Sequence, residues 1–225
     1  MNKLAYQHYS VTADLLEKVP SDRAVVILLR HSIRDELPPD GIGYMLPITE
    51  EGKQQGAKFG QILGDRLKTL HSSPLARCVE TAEALNKGAG LDLPITEDRL
   101  LGDPGAFVID GEIAWSNWER LGSKGVMRHL VTENDALPGM ARPGEAAHRL
   151  VSHMLAASEN RLGVHVFVTH DSLVMATAAR LLGEPLDQGS YPDYLEGVFF
   201  WQGDGGIHTA YRSWFSVREP LLAGL

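Results

Sequence analysis

The sequence predicts an α/β fold: a three-layer sandwich with a mostly parallel central sheet, helices on both faces and a small cap insertion. Three observations predict it. AVVILL at 24–29 and VHVFVT at 164–169 are short, β-branched and almost wholly apolar, as strands covered on both faces are. Segments with helical patterning separate the strand-like runs, giving the order β-α-β-α-β-insert-α-β-α-β-β, and such alternation favours a parallel sheet. Three of the strands end in charged or polar clusters, and sheets of this kind bind ligands beyond their carboxyl ends.

The elements follow in order. Residues 24–29 form the first strand. Residues 35–48, with Pro38, Pro39, Gly41, Gly43 and Pro47, form a loop. Thr49 followed by Glu50, Glu51 and Gly52 opens a helix, with Thr49 as its N-cap. KTLHSS at 68–73 is a short strand with a polar end. Pro74 starts a second helix, because proline is tolerated in a first turn, and Gly88 or Gly90 stops it. LPIT at 93–96 is another short strand. Residues 101–143 carry many glycines and prolines together with Trp115 and Trp118. A stretch this long inside a compact domain is usually a functional insertion, so a cap built of short helices is expected there. Residues 144–161 form a helix after Pro143, and 164–169 form the second buried strand. A helix runs from Asp171 to a stop at Gly183. GVFFW and IHTAYRSW read as two late strands joined through QGDGG. The whole chain, 1–225, is expected to be one domain, with 101–143 as its cap.

The 225 residues are enough to bury a substantial core. A hydrophobic fraction of 44% and a net charge of −8 fit a globular protein. They argue against general nucleic-acid or anionic-membrane binding, which rests on lysine and arginine neutralising phosphates. They leave room for a small anionic substrate, because local charge decides that case. The one cysteine, Cys78, is expected to fill core space. With no disulfide to form and no apolar signal core in MNKLAYQHYS, a cytoplasmic location is expected.

The strand ends carry the chemistry. The first ends in Arg30, His31 and Arg34; the second in Ser72 and Ser73, with Arg77 one helical turn on; the third in Thr169, His170 and Asp171. If these strands are neighbours, three guanidiniums and two imidazoles meet at one mouth. Guanidiniums repel one another unless an anion lies between them, and their paired donors fit phosphate oxygens. A tetrahedral dianion is the natural occupant. Nearby positive charge keeps His31 neutral and therefore nucleophilic. The arginines and His170 would stabilise the transferring phosphoryl group. A carboxylic acid would protonate the leaving alkoxide. Neither a metal nor another cofactor is needed, since arginine charge does the work.

These segments resemble the histidine phosphatase superfamily, which also holds the cofactor-dependent phosphoglycerate mutases. LLRHSIR looks like its RHG signature, with Ser32 where the family usually has glycine. ITEEGKQQGAKFGQIL, SSPLARCVETAEAL and FVTHDSLV are similar to its following segments, in the same order over about 24–183. The resemblance implies a phosphoglycerate-mutase-like fold and a small phosphorylated substrate. It implies that His31 becomes phosphorylated and that Arg30, Arg34, Arg77 and His170 form the phosphate pocket. Mutase-like members carry a glutamate in the segment resembling RLLGDPG, where this chain has Leu101 and Gly102; Asp103 is the nearest carboxylate. The acid phosphatase branch has aspartate directly after the second histidine, and THD matches it. Asp171 is thus the expected proton donor and Asp103 the alternative. A metal-free phosphatase for a small organic phosphate monoester is the leading expectation. A mutase-like phosphotransferase and a non-catalytic module that binds phosphorylated ligands are the others. Oligomeric state is not legible.

Overall fold

The computed structural model describes residues 6–37, 43–183, 186 and 191–219. Among them the elements run α1 (Ser10–Leu16), β1 (Ala24–Arg30), α2 (Glu50–Leu63), β2 (Leu67–Ser72), α3 (Ala76–Ala89), β3 (Ile95–Glu97), α4 (Gly111–Thr132), α5 (Pro143–Ala157), β4 (Gly163–Thr169), α6 (Asp171–Leu182), β5 (Gly197–Gly203), β6 (Gly206–Tyr211) and β7 (Trp214–Arg218). The strands form one mixed sheet in the order β3-β2-β4-β1-β5-β6-β7. β3, β2, β4 and β1 are parallel; β5, β6 and β7 follow as an antiparallel meander.

β1 shows why its sequence is apolar throughout. Val25, Ile27 and Leu29 enter the core layer shared with α1, α2 and α3. Val26 and Leu28 enter the opposite layer, shared with α4, α5 and α6. Alternate residues of a strand point to opposite faces, so a strand between two helical layers must be hydrophobic on both.

Several expected details are corrected. IHTAYRSW is not one strand: Arg212 takes a positive φ of 54° and turns the chain between β6 and β7. Pro74 precedes the second helix, which starts at Ala76 with Leu75 as N-cap. Gly90, not Gly88, ends it, in the left-handed conformation that glycine adopts readily. The insertion does hold the short helices expected of it: α4 is two helical pieces that meet at Gly122, whose φ of 66° and ψ of 169° are not helical. Its buried face, including Val126, Leu130 and Met140 of the following loop, joins the core beside α5 and α6. Helix α1 went unpredicted, since seven residues offer little periodicity. Part of the 35–48 loop, at 38–42, lies outside the described residues. Among the described residues no helix is long and apolar enough to cross a membrane.

Helices α2 and α3 are locked together by glycine. Gly52, Gly56 and Gly60 recur every four residues and so share one face of α2. A Cβ on Gly56 would come within 2.9 Å of the Ala84 Cβ, and one on Gly60 would run into the carbonyl of Leu85. On α3, a Cβ on Gly88 would run into the Ala57 carbonyl. This close approach fixes α3, and with it Arg77. Gly60→Ala gains about 1 kcal/mol of helix propensity but forces backbone apart, which costs about 1–3 kcal/mol. A net loss of up to about 2 kcal/mol in denaturant unfolding is expected; a stabilised variant would contradict the close packing.

Candidate active site

The parallel strands bring the sequence-predicted residues together. β1 and β4 pair in register up to Arg30 opposite Thr169, and β2 and β4 up to Ser72 opposite Val168. The ladder extends one step beyond: the His31 N–H donates to the Thr169 carbonyl at 2.9 Å, and the Ser73 N–H to the Val168 carbonyl at 2.9 Å. His31, His170 and Ser73 therefore stand side by side at the carboxyl edge. The two imidazole centroids are 5.6 Å apart.

His31 is 3% exposed. Its Nδ1 lies 2.8 Å from the Ser32 carbonyl oxygen. A carbonyl only accepts, so Nδ1 carries the proton and the lone pair is on Nε2. Burial, then the neighbouring His170, Arg30 and Arg77, hold this imidazole well below its ordinary pKa. Ser32 fits where the family usually has glycine because its hydroxyl donates to the Gly52 carbonyl (2.8 Å) and its N–H donates to Thr81 Oγ1 (2.9 Å).

His170 is fixed from both sides. Arg77 Nη2 lies 3.4 Å from Nδ1 and can only donate, so Nε2 is the protonated nitrogen and donates to Ser73 Oγ at 3.1 Å. Burial first, then Arg77, Arg30 and Arg34, push its pKa down to about 3. That three arginines act on one ring is the convergence expected from the strand ends. Cys78 backs the ring, with Sγ 3.8 Å from Nε2; it is buried, and burial raises its thiol to about 12.

The cations are held differently. Arg30 donates through Nη1 to the Pro192 carbonyl at 2.6 Å, and its guanidinium lies 4.2 Å over the Tyr194 ring. Arg77 donates through Nη1 to the Gly43 carbonyl at 2.8 Å. Arg34 donates to the Asp35 carbonyl at 2.6 Å. Among the described residues the Nε groups of Arg30 and Arg34 are buried without a hydrogen-bond partner, and leaving such donors unpaired is costly. An oxyanion between these side chains relieves both that cost and their mutual repulsion.

The two carboxylates occupy different places. Asp171 is the first residue of α6, and His170 is its N-cap. Its Oδ2 pairs with Arg30 Nη2 at 3.3 Å and its Oδ1 accepts from the Ser172 N–H at 2.8 Å. Asp103 sits in a turn with φ 64°, pairs with Arg99 at 3.6 Å and faces the Tyr44 hydroxyl at 3.5 Å.

Gly102 and Tyr194 were not singled out as site residues. A Cβ on Gly102 would lie 2.5 Å from Ser73 Oγ and 2.7 Å from His170 Nε2, so only glycine lets this loop pass the ring. The Tyr194 ring lies 5.9 Å from the His31 ring. Trp118 lines a cavity beside His170, whereas Trp115 stacks on it at 6.5 Å and is half exposed.

The pKa shift makes a stability prediction. A histidine depressed in the folded state contributes stability that is fully present above its unfolded value of 6.5 and is lost as pH falls through that value toward the folded one. Unfolding midpoints should therefore drop between pH 6.5 and 4. His170→Gln should flatten that slope, because glutamine does not titrate; an unchanged slope would contradict the buried neutral ring.

With this geometry in hand, comparison with known proteins places the chain. A profile of the histidine phosphatase superfamily (branch 1) matches residues 26–194. The chain belongs to that superfamily. No curated protein sequence matches significantly. Among solved structures it is similar to a mutant phosphoserine phosphatase from Entamoeba histolytica in complex with phosphoserine, with 17% identity and a TM-score of 0.55 over 84% of this chain and 97% of that one. It is also similar to mycobacterial glucosyl-3-phosphoglycerate phosphatase, with 19% identity and a TM-score of 0.56 over 87% and 97%. These likenesses show the phosphoglycerate-mutase-like fold.

Proposed function

We propose that this protein is a phosphatase that hydrolyses a small organic phosphate monoester through a phosphohistidine on His31, without a metal. The observation that carries the proposal is the neutral His31 imidazole, tautomer-fixed with its lone pair on Nε2, beside a cluster of Arg30, Arg34, Arg77 and His170.

In the first step His31 Nε2 attacks phosphorus. The N–P bond forms, the P–O ester bond breaks, and the departing alkoxide takes a proton from Asp171. The arginines bind the phosphoryl oxygens, where charge gathers in transfer, and His170 turns its N–H from Ser73 toward them as the phosphoryl group enters. In the second step the Asp171 carboxylate takes a proton from water, whose oxygen attacks phosphorus. The N–P bond breaks and inorganic phosphate leaves. Asp171 is favoured because its carboxylate touches Arg30, so a phosphoryl group bound by Arg30 lies beside it. One observation favours the second reading, Asp103: it lines the same cavity as His170 and Arg77. A cytoplasmic setting fits the buried, unpaired thiol of Cys78.

Phosphate release from aryl and metabolite phosphates, measured with EDTA present, tests the proposal. Release that persists in EDTA, without transfer to a second hydroxyl of the substrate, is expected. Loss of release on chelation would contradict the metal-free chemistry. Transfer within the substrate would favour a mutase, and tight phosphate binding without release would favour a binding module.

A further inference from the structure

Beside the phosphate-binding cluster lies a cavity of about 180 Å³ between the insertion and α6. His170, Arg77 and Gly102 form its polar end. Its walls are apolar: Phe107, Val108, Trp118, Leu130, Met140 and Leu173 are among them. Backbone hydrogen bonds hold the walls. Val108 bridges to Met140, the Ala141 N–H donates to the Phe107 carbonyl at 3.0 Å, and the Ile109 and Asp110 N–H groups both donate to the Gly139 carbonyl at 2.9 Å. Phe107, Leu130 and Met140 are themselves buried in the core layer. The pocket is thus preformed.

Its charge pattern is selective. The charged side chains in the lining are Arg77, already engaged with the Gly43 carbonyl and His170, and the carboxylate of Asp103. A second anionic group on a substrate would meet Asp103 and find no further cation among the described residues of the lining. Burying an unpaired charge there is costly. An uncharged hydrocarbon group meets no such cost. An apolar protein cavity of about 150 Å³ accepts a benzene ring, so this one has room for a single ring or a branched alkyl group.

We propose that the preferred substrates are phosphate monoesters of alcohols bearing one compact, uncharged apolar group, and that this cavity holds that group. The inference rests on the phosphatase reading above. The test measures kcat/KM on the intact protein for benzyl, 4-carboxybenzyl and ethyl phosphate. Benzyl phosphate is expected to exceed each of the others by roughly tenfold or more. Val108→Phe, which fills the cavity, should bring the benzyl-to-ethyl ratio toward one. Equal rates for the three esters, or a preference for the carboxylated one, would overturn the inference while leaving the phosphatase reading intact. If no ester is hydrolysed, the phosphatase reading fails. Calorimetric binding of phenethylphosphonate against propylphosphonate then decides the pocket, with tighter phenethyl binding supporting it and equal binding overturning it.

Discussion

His31→Ala is expected to abolish phosphate release, lowering kcat/KM by on the order of 10⁴-fold or more, because the residue supplies the bond-forming lone pair. The loss should not be one of folding. His31 follows β1, whose core contacts come from Val25 to Leu29, and among the described residues its ring makes one hydrogen bond, to the Ser32 carbonyl. Removing it leaves a small void beside His170. Unfolding midpoints at neutral pH should shift only slightly, and inorganic phosphate should still bind the variant, since Arg30, Arg34, Arg77 and His170 remain. Turnover within tenfold of the parent protein would mean that phosphorus is attacked by something else.

Asp171→Asn should cost about 10²–10⁴-fold with alkyl phosphates, the range that general acid catalysis covers. With 4-nitrophenyl phosphate the loss should be much smaller, because nitrophenolate leaves without a proton. This dependence on the leaving group separates a proton donor from a residue that merely holds Arg30. If Asp171 acted only through its 3.3 Å pair with Arg30, phosphate affinity would change equally for both esters. Asp103→Asn is the matched control. A loss confined to alkyl esters in that variant, with Asp171→Asn unaffected, would assign the proton to Asp103 instead.

Much of this arrangement was legible in the residues. β1 and β4 announced themselves because strands buried on both faces need hydrophobic side chains at every position. The polar clusters that follow them could be placed at one edge because parallel strands share their carboxyl ends. What stayed hidden depends on contacts between distant segments. The β6–β7 turn rests on a positive φ at Arg212, a residue type with no turn preference. The Gly52, Gly56 and Gly60 stripe was visible as a spacing, but only the approach of Leu85 and Ala84 gives it meaning. Gly102 reads as a departure from a family glutamate; in the fold it is the residue that lets the loop clear His170. Tyr194 lies far along the chain from Arg30, and no local pattern reveals that the guanidinium stacks on its ring. Asp171 and Asp103 look alike in sequence as carboxylates near a motif; their surroundings differ, one against Arg30 and the other against Arg99 and Tyr44.

The most direct test of the central claim is to trap the covalent intermediate. A short incubation with a phosphoryl-labelled aryl phosphate, stopped in alkali and digested, is read by mass spectrometry for the labelled peptide. The label is expected on His31, stable to alkali and lost in acid as a phosphoramidate is, and missing from His31→Ala. A label on His170, an acid-stable label on a serine, or steady turnover with no labelled peptide would contradict phosphohistidine chemistry at His31.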